Sequence, residues 1–217
     1  MLTLDFATPG PGPIRLLCVG AHSDDIEIGC GGTILRLLAE YPDSEVHWVV
    51  VGSTAQRDHE ATGSAEDFLA GAGKKEIIVR NFKESFFPYR GEEIKAFFEE
   101  LKATVSPDVV FTHYRNDLHQ DHRVVAELTW NTYRNHLILE YEIPKYDGDL
   151  GAPNVFVHLD EATCEQKIAL LLKHFQTQRD KDWFTPDLFR SLLRLRGVES
   201  RSPGKFAEAF YGRKITL

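Results

Sequence analysis

The chain has 217 residues, of which 42% are hydrophobic and 27% are charged, and its formal net charge is -8. This length is typical of one α/β domain with its own core, and such an ordinary globular composition excludes a largely disordered chain. The negative charge opposes binding to nucleic acid or to an anionic membrane face, because both would be repelled at long range.

The cysteines and the first residues of the chain indicate the cellular compartment of the protein. Cys18, Cys30 and Cys164 are an odd number and fall within predicted helices and strands, so they do not indicate a disulfide framework. The first residues, MLTLDFATPGPG, have neither a basic start nor an apolar run, and no apolar stretch approaches the roughly 20 residues of a membrane span. We therefore expect a cytoplasmic protein without a secretory signal.

Strand and helix patterns alternate along the first part of the chain. Residues 1–13 are predicted to form an N-terminal tail with proline and glycine punctuation, so that the first strand begins at about Ile14. Continuous apolar runs, typical of parallel strands buried on both faces, then alternate with helical patterns in the order βαβαβαβ. This order predicts a Rossmann-like, doubly wound and mostly parallel sheet. The apolar runs are residues 16–21, 46–52, 76–82 and 108–113, and the helical patterns are residues 33–41, 57–73 and 91–105.

After Ile138 the pattern loosens. LILEYEIP and NVFVHLD are predicted as edge strands, and residues 161–178 and 186–198 as amphipathic helices. We expect residues 138–217 to cap the sheet and to wall a pocket, within a single domain that spans residues 1–217.

Two polar clusters follow predicted strands. AHSDD (21–25) comes directly after the first strand, and YRNDLHQDH (114–122) comes directly after the fourth. Ligands of open parallel sheets bind beyond the carboxyl ends of the strands, so both clusters are expected at one edge of the sheet. The ionisable side chains that would meet there are His22, Asp24, Asp25, Asp117, His119, Asp121 and His122.

Such a set of side chains indicates a divalent metal. Imidazole and carboxylate are ordinary ligands of Zn²⁺, and a catalytic zinc site typically combines three protein ligands with a water. His22 and Asp25 can point at one ion, and His122 can complete the set. Asp24 would then be free to act as a base on the activated water, although spacing alone does not separate the roles of Asp24 and Asp25. His119 and Asp121 of HQDH are expected to form a second pair that donates to a developing oxyanion and orients around it.

These residues resemble a known family. AHSDDIEIGCGGT is similar to the AHPDD…G.GGT signature of the PIG-L (LmbE-like) N-deacetylase superfamily, and HQDH is similar to its HPDH signature. The segment with Arg57 and Glu60 is similar to the R..E block of the same superfamily. The resemblance implies a metal-dependent enzyme, usually with zinc, that removes N-acetyl groups from N-acetylglucosamine-type sugars.

The resemblance also implies a role for each matching residue. The metal ligands would be His22, Asp25 and His122, the general base Asp24, the transition-state histidine His119 with Asp121 behind it, and the sugar contact Arg57. Ser23 replaces the usual proline, and Asp117 stands where some relatives carry a substrate-binding tyrosine. His113 and Asp117 are therefore expected to add polar contacts to the substrate. The metal is expected to be Zn²⁺, with Fe²⁺ left open.

The predicted reaction is hydrolysis of the N-acetyl amide of an amino sugar, with release of acetate and the free amine. The substrate would be a small molecule: a monosaccharide, a nucleotide sugar or a glycoside. Two alternatives stay open: a non-catalytic metal-containing module that binds a sugar or nucleotide, and a metal-dependent esterase or phosphoesterase. A homo-oligomer is also left open.

Three further segments have competing interpretations. GCGG (29–32) lacks the G-x-G-x-x-G spacing of a dinucleotide site, so close packing of helix against strand is favoured. Trp183 and Phe184 are predicted to lie in a loop where they could stack on a sugar ring. The arginines of LLRLRG (192–197) are interpreted as a solvated helix face, with an anion site as the alternative.

Overall fold

The computed structural model describes residues 13–216, so nearly all of the predicted N-terminal tail lies outside the described residues. Within this range the strands form one seven-stranded sheet in the order β3-β2-β1-β4-β5-β7-β6. The first five strands pair in parallel, whereas β7 is antiparallel to both β5 and β6. The strands are β1 (Arg15–Gly20), β2 (Glu45–Val50), β3 (Lys74–Val79), β4 (Val109–His113), β5 (Leu137–Tyr141), β6 (Val155–Leu159) and β7 (Phe206–Gly212). The predicted mixed α/β fold with a mostly parallel sheet is confirmed.

Six α-helices cover the two faces of this sheet within the described range. Side chains at their first turns satisfy free N–H groups: Thr54 accepts from the Arg57 N–H, Asp160 from the Thr163 N–H, and Thr185 from the Leu188 N–H. The helices are α1 (Asp25–Glu40), α2 (Ala55–Phe68), α3 (Gly91–Thr104), α4 (Gln120–Thr132), α5 (Glu161–His174) and α6 (Pro186–Glu199). One short 3-10 helix, Phe87–Arg90, precedes α3, and another, Gln176–Gln178, follows α5.

The core has two parts, one on each face of the sheet. Leu16 and Cys18 of β1 point into a cluster with α1, α2, α5 and α6, while Leu17 and Val19 point into a cluster with α3 and α4. All four side chains are fully buried. A strand buried on both faces needs no polar alternation, which explains the continuous apolar runs of the sequence.

One prediction about the C-terminal strands needs correction, and one strand is additional to those predicted. LILEYEIP contains β5, which is not an edge strand, because it pairs with β4 on one side and β7 on the other. The edges of the sheet are β3 and β6. The strand β7 was not predicted, because Glu208 interrupts its apolar run, although the Glu208 side chain is only 3% exposed.

The glycines of α1 allow other elements to approach closely, as the sequence predicts. A Cβ atom on Gly29 would lie 2.2 Å from the Tyr141 ring of β5, and one on Gly31 would lie 2.6 Å from the Phe68 ring of α2. Contacts this short are not tolerated between carbon atoms, so side chains at these positions would push α1 away from its neighbours.

The order of the strands also fixes where a ligand can bind. The connection after β1 leads to β2 on one side, while β4 lies on the other side of β1. The carboxyl ends of β1 and β4 therefore form the crevice at the switch point of the sheet. No helix of the described residues is long and apolar enough to cross a membrane.

Candidate metal centre

Three predicted ligand side chains meet at this switch point. His22 lies in the turn after β1, Asp25 is the first residue of α1, and His122 lies in the first turn of α4. His122 Nε2 is 3.2 Å from His22 Nδ1 and 3.5 Å from Asp25 Oδ1, and His22 Nδ1 is 3.4 Å from Asp25 Oδ2. Donors that bind one tetrahedral ion at about 2.1 Å are separated from each other by about 3.4 Å. Taken pair by pair, these distances are those of ligands around one divalent ion, with the two contacts to Asp25 made by different oxygens.

A carboxylate lies behind each of the two histidines. Asp121 Oδ2 is 3.0 Å from His22 Nε2, and Asp117 Oδ2 is 2.9 Å from His122 Nδ1. In both rings the nitrogen that faces the carboxylate is the one that faces away from the other donors. Such carboxylates fix the tautomer and the orientation of a metal-binding histidine. Asp117 and Asp121 are therefore placed to orient His122 and His22.

Burial and neighbouring ionisable groups shift the pKa values of all three side chains in this cluster. Burial lowers the pKa of His22, but the carboxylates of Asp25 and Asp121 outweigh burial and raise it to about 10. Burial and the neighbouring His113 ring lower the pKa of His122 to about 3. Burial raises the pKa of Asp25, but His122, His113 and His22 together hold it well below its usual range. The protonated His22 ring gives these carboxylates a positive charge beside them, and a divalent cation bound to the same donors would replace that proton.

His113, at the end of β4, lies beneath this triangle of donors. Its ring stacks on the His122 ring with the ring centres 3.9 Å apart, and its Nε2 accepts the Ala21 N–H at 2.9 Å. The same nitrogen is 3.2 Å from Asp25 Oδ2, and His113, Asp25 and His122 form one of two groups of potential metal ligands among the described residues. The other group is His22, His119 and His122. Because His113 is 0% exposed, it offers no surface to a sugar.

Asp24 adjoins Asp25 in the chain and belongs to neither of these groups of potential metal ligands. Its Oδ1 accepts a hydrogen bond from Arg57 Nη2 at 2.7 Å, and its Oδ2 is buried without a hydrogen-bond partner among the described residues. Arg57 also contacts Glu84, with Nη1 3.3 Å from Oε1. The arginine thus holds one oxygen of the Asp24 carboxylate, and the other oxygen makes no hydrogen bond to a described residue. Glu60, which shares the R..E block, instead accepts from the Thr177 N–H and hydroxyl.

His119 lies over the rings of both predicted ligand histidines. Its ring centre is 4.9 Å from that of His22 and 4.5 Å from that of His122. His119 Nδ1 accepts the N–H of Asp121 at 3.2 Å, so the proton of the neutral ring is on Nε2. Burial and the adjacent His22 lower the pKa of His119, which favours this neutral ring. The side chain can therefore donate a hydrogen bond from Nε2.

Comparison with known proteins gives the family. Residues 17–133 match PIG-L, described as GlcNAc-PI de-N-acetylase. An uncharacterized deacetylase of Escherichia coli K12, YaiS, is 30% identical over 169 residues, which cover 73% of this chain and 89% of YaiS. The chain belongs to the PIG-L family. The predicted family membership is thereby confirmed.

Solved structures share the PIG-L fold of this chain. N,N'-diacetylchitobiose deacetylase from Pyrococcus horikoshii superposes with a TM-score of 0.66 at 20% identity, covering 92% of this chain and 83% of the enzyme. The 4-carboxy-2-hydroxymuconate hydratase GalB from Pseudomonas putida KT2440 gives a TM-score of 0.68 at 17% identity, covering 94% and 98%. One fold thus carries a deacetylase and a hydratase, so the reaction of this PIG-L protein has to be argued from its site.

Some residues of the PIG-L centre were not found from the sequence. Lys145 follows β5 and contacts Asp117, with Nζ 2.9 Å from Oδ2, and it also pairs with Asp149. The backbone N–H groups of Ser85 and Phe87 donate to Asp121 at 2.6 and 3.2 Å. The one sequence signal for Lys145 is that it follows β5, the strand beside β4. Nothing in NFKESFF (81–87) indicates that the backbone of Ser85 or Phe87 is functional.

Several C-terminal residues lie in environments different from those predicted from the sequence. Phe184 is buried between the Phe175 and Phe189 rings, and Trp183 packs against the same core, so neither forms an open stacking platform. Arg196 is neither solvated nor an anion site, since its Nε and Nη2 each bond Glu142 at 2.7 Å and its side chain is 4% exposed. Of residues 138–216, it is the segment between β5 and β6 that reaches the metal centre.

Proposed function

We propose that the protein is a metal-dependent hydrolase that removes the acetyl group from an N-acetylated amino sugar, releasing acetate and the free amine. The observation that carries this proposal is the triangle of His22, Asp25 and His122, together with the adjacent residue Asp24, whose Oδ2 has no hydrogen-bond partner among the described residues. A buried carboxylate oxygen without a partner is costly, and unlike Glu27, whose two oxygens are also unpaired, Asp24 adjoins the predicted ligand Asp25 and is held by Arg57. A hydrolysis that needs a general base gives this oxygen of Asp24 a chemical role.

The three donors would hold Zn²⁺, or Fe²⁺, which the same nitrogen and oxygen ligands accept. A divalent ion bound there supplies a Lewis acid that polarises a carbonyl and lowers the pKa of water to about 7. Asp24 Oδ2 takes the proton from the attacking water as its oxygen bonds to the acetyl carbon. Arg57 keeps the carboxylate in place during this transfer through its bond to Oδ1.

His119 and Asp24 complete the reaction. The Nε2 proton of His119 is donated as a hydrogen bond to the oxygen of the acetyl group, on which negative charge develops as the carbonyl is attacked. The C–N bond then breaks, and the proton held by Asp24 passes to the departing amine. The products are the amino sugar and acetic acid, which ionises to acetate at neutral pH, so the proton taken from water is passed on and Asp24 is regenerated.

Asp117, Asp121 and His113 act through other residues in this proposal. Asp117 and Asp121 orient the ligand histidines, and His113 supports the His122 ring from beneath. This differs from the substrate contacts that the sequence suggests for His113 and Asp117, because both side chains are buried behind the donors.

The same contacts argue against a phosphoesterase. Phosphoester cleavage more often uses two metals about 4 Å apart, which would need additional carboxylate ligands. Asp117 and Asp121 are the remaining carboxylates of the motifs, and both are hydrogen-bonded to ligand histidines. A single ion beside one base suits amide hydrolysis instead.

The test is acetate release from N-acetylglucosamine and its glycosides before chelation, after chelation and after Zn²⁺ is restored. We expect release to vanish with the chelator and to return with the metal. The variant Asp24→Asn should bind metal like the parent protein yet lose about 100- to 10,000-fold in kcat, because it lacks the base. Asp182→Asn, an exposed carboxylate elsewhere, should keep full activity. Full activity in Asp24→Asn would refute the mechanism.

A further inference from the structure

Two buried serines connect the turn after β1 to the loop that precedes α2. Ser23 lies in this turn between His22 and Asp24, and its hydroxyl donates to Ser53 Oγ at 3.0 Å. Ser23 is 0% exposed and Ser53 is 5% exposed. Because water has almost no access to either hydroxyl, removal of one leaves the other without a replacement partner.

The hydrogen bonds of these hydroxyls lead from the turn to the start of α2. Ser53 Oγ donates to the Thr54 carbonyl oxygen at 3.3 Å, which leaves its lone pairs available to accept from Ser23. The same carbonyl oxygen of Thr54 accepts the N–H groups of Arg57 and Asp58 at 2.8 and 2.9 Å. The hydroxyl of Ser23 is thus connected, through Ser53, to the carbonyl group on which the first turn of α2 is built.

Arg57 connects α2 back to the same turn. The backbone pairing of β1 with β2 continues as far as the Gly52 N–H, which donates to the Ala21 carbonyl oxygen at 2.8 Å. Beyond that pair, two side-chain contacts join the turn to the start of α2: the contact between the serines, and the bond from Arg57 Nη2 to Asp24 Oδ1 at 2.7 Å. A movement of α2 relative to the turn would change the distance from Arg57 to Asp24, and the serine contact opposes such a movement.

The predicted metal ligands are held by a different set of contacts. The His22 N–H donates to Asp25 Oδ2 at 2.6 Å, and the carboxylates of Asp121 and Asp117 contact the rings of His22 and His122. None of these contacts includes a residue of α2 or of the loop before it. The serine contact therefore acts on the predicted base rather than on the metal ligands.

We propose that Ser23 and Ser53 are positioning residues for the base: their contact fixes the start of α2, so that Arg57 holds Asp24 in the orientation needed for proton transfer. This inference rests on the proposed deacetylation. Proline, the usual residue of the signature at position 23, would restrict the backbone of the turn through its ring. In this chain a buried hydrogen bond to the neighbouring loop provides a restraint of another kind.

The test is the kinetics of acetate release from N-acetylglucosamine by Ser53→Ala. We expect kcat to fall about tenfold with KM unaltered, because the base is less well oriented. The affinity for Zn²⁺, measured by competition with a chelator, should equal that of the parent protein. Ser44→Ala is the matched control and should keep the parent kcat, since Ser44 is 1% exposed and donates to the Tyr41 carbonyl oxygen at the other end of β2.

A second comparison tests whether the two hydroxyls act through one contact. Ser23→Ala should lower kcat as much as Ser53→Ala does, and the double variant should lose no more than either single variant. All rates are measured below the Tm of the least stable variant. Ser23→Ala serves for the whole comparison should Ser53→Ala not fold.

A third comparison separates positioning of the base from a general structural role. In the background of Asp24→Asn the base is already absent, so Ser53→Ala should lower the remaining kcat no further. A role in overall structure would lower kcat by the same factor in both backgrounds.

The outcomes also separate this inference from the proposed function. Absence of acetate release by the parent protein would contradict the deacetylation itself. Where the parent protein is active, three results for Ser53→Ala would each overturn the positioning role alone: an unaltered kcat, a weaker affinity for Zn²⁺, or the same fractional loss of kcat with and without Asp24. Additive losses in the double variant would show that the two serines act separately, which would overturn it as well.

Discussion

His22 and His122 each direct one ring nitrogen toward Asp25 and the other toward a second carboxylate. Lys145 in turn contacts Asp117, the carboxylate behind His122. The shape of the centre thus depends on residues that would not bind the ion themselves. Replacing such a residue tests orientation separately from ligation.

Asp117→Asn should therefore weaken metal binding without abolishing it. The amide no longer accepts from His122 Nδ1 as a charged group, and the loss of such a partner typically lowers affinity about 10- to 100-fold. Competition between the protein and a chelator of known affinity would measure this change. Asp147→Asn, which alters an exposed carboxylate in a nearby loop, is the matched control. Unaltered affinity in Asp117→Asn would show that the contact does not orient the ligand.

Arg57 provides a second test, because its two proposed roles predict different kinetics. If it positions Asp24, as the 2.7 Å contact indicates, Arg57→Lys should lower kcat by as much as about 100-fold with little change in KM. If it binds the sugar, the main effect should be a higher KM. Steady-state kinetics on one glycoside decides between them, with Arg190→Ala, which removes a surface ion pair, as the control.

A buried ion pair connects α1, which carries Asp25 of the centre, to α5 and β7. Lys167 Nζ donates to the Ile28 carbonyl oxygen at 2.6 Å and pairs with Glu208, whose oxygens accept the N–H groups of Gly32 and Thr33. Lys167 and Glu208 are almost fully buried. They connect the middle of α1 to the C-terminal half of the fold.

Lys167→Met should destabilise the fold strongly, because it leaves the Glu208 charge buried without its partner. Breaking a buried ion pair from one side typically costs about 3–5 kcal/mol. Lys173→Met, on the same helix, removes an exposed pair with Asp67 and should cost under about 1 kcal/mol. Urea unfolding of the two variants would measure both changes. Equal free energies of unfolding would contradict the importance of the buried pair.

The sequence predicts elements well where one periodicity holds throughout. The apolar runs of β1, β2 and β4 and the polar residues that follow β1 and β4 are sufficient to bring His22, Asp25 and His122 together, since adjacent parallel strands end at the same edge. The strand β7 does not follow from its pattern, because the partner of Glu208 lies on another element. The contacts of Asp24, Asp117 and Asp121 depend on loop conformations, which have no period to detect.

At the scale of the whole molecule, the proposed metal centre joins two halves of the chain. Its donors come from the β1–α1 turn and from the start of α4, which are about a hundred positions apart in the sequence, as the His22 and His122 contact shows. An ion bound to both segments in the folded state, and not to the unfolded chain, shifts the unfolding equilibrium toward the folded state. Metal removal should therefore lower the stability of the entire domain.

We expect Zn²⁺ at 100 times its dissociation constant to add about 2.7 kcal/mol to the free energy of unfolding. The measurement is thermal unfolding of chelated protein against increasing Zn²⁺, in which Tm should rise continuously with the concentration of free metal. His122→Ala should lose most of this rise because it lacks one donor, whereas His59→Ala, an exposed histidine on α2, should retain it. A Tm that does not depend on Zn²⁺ in the parent protein would contradict a metal bound by these residues, and with it the reaction proposed for Asp24.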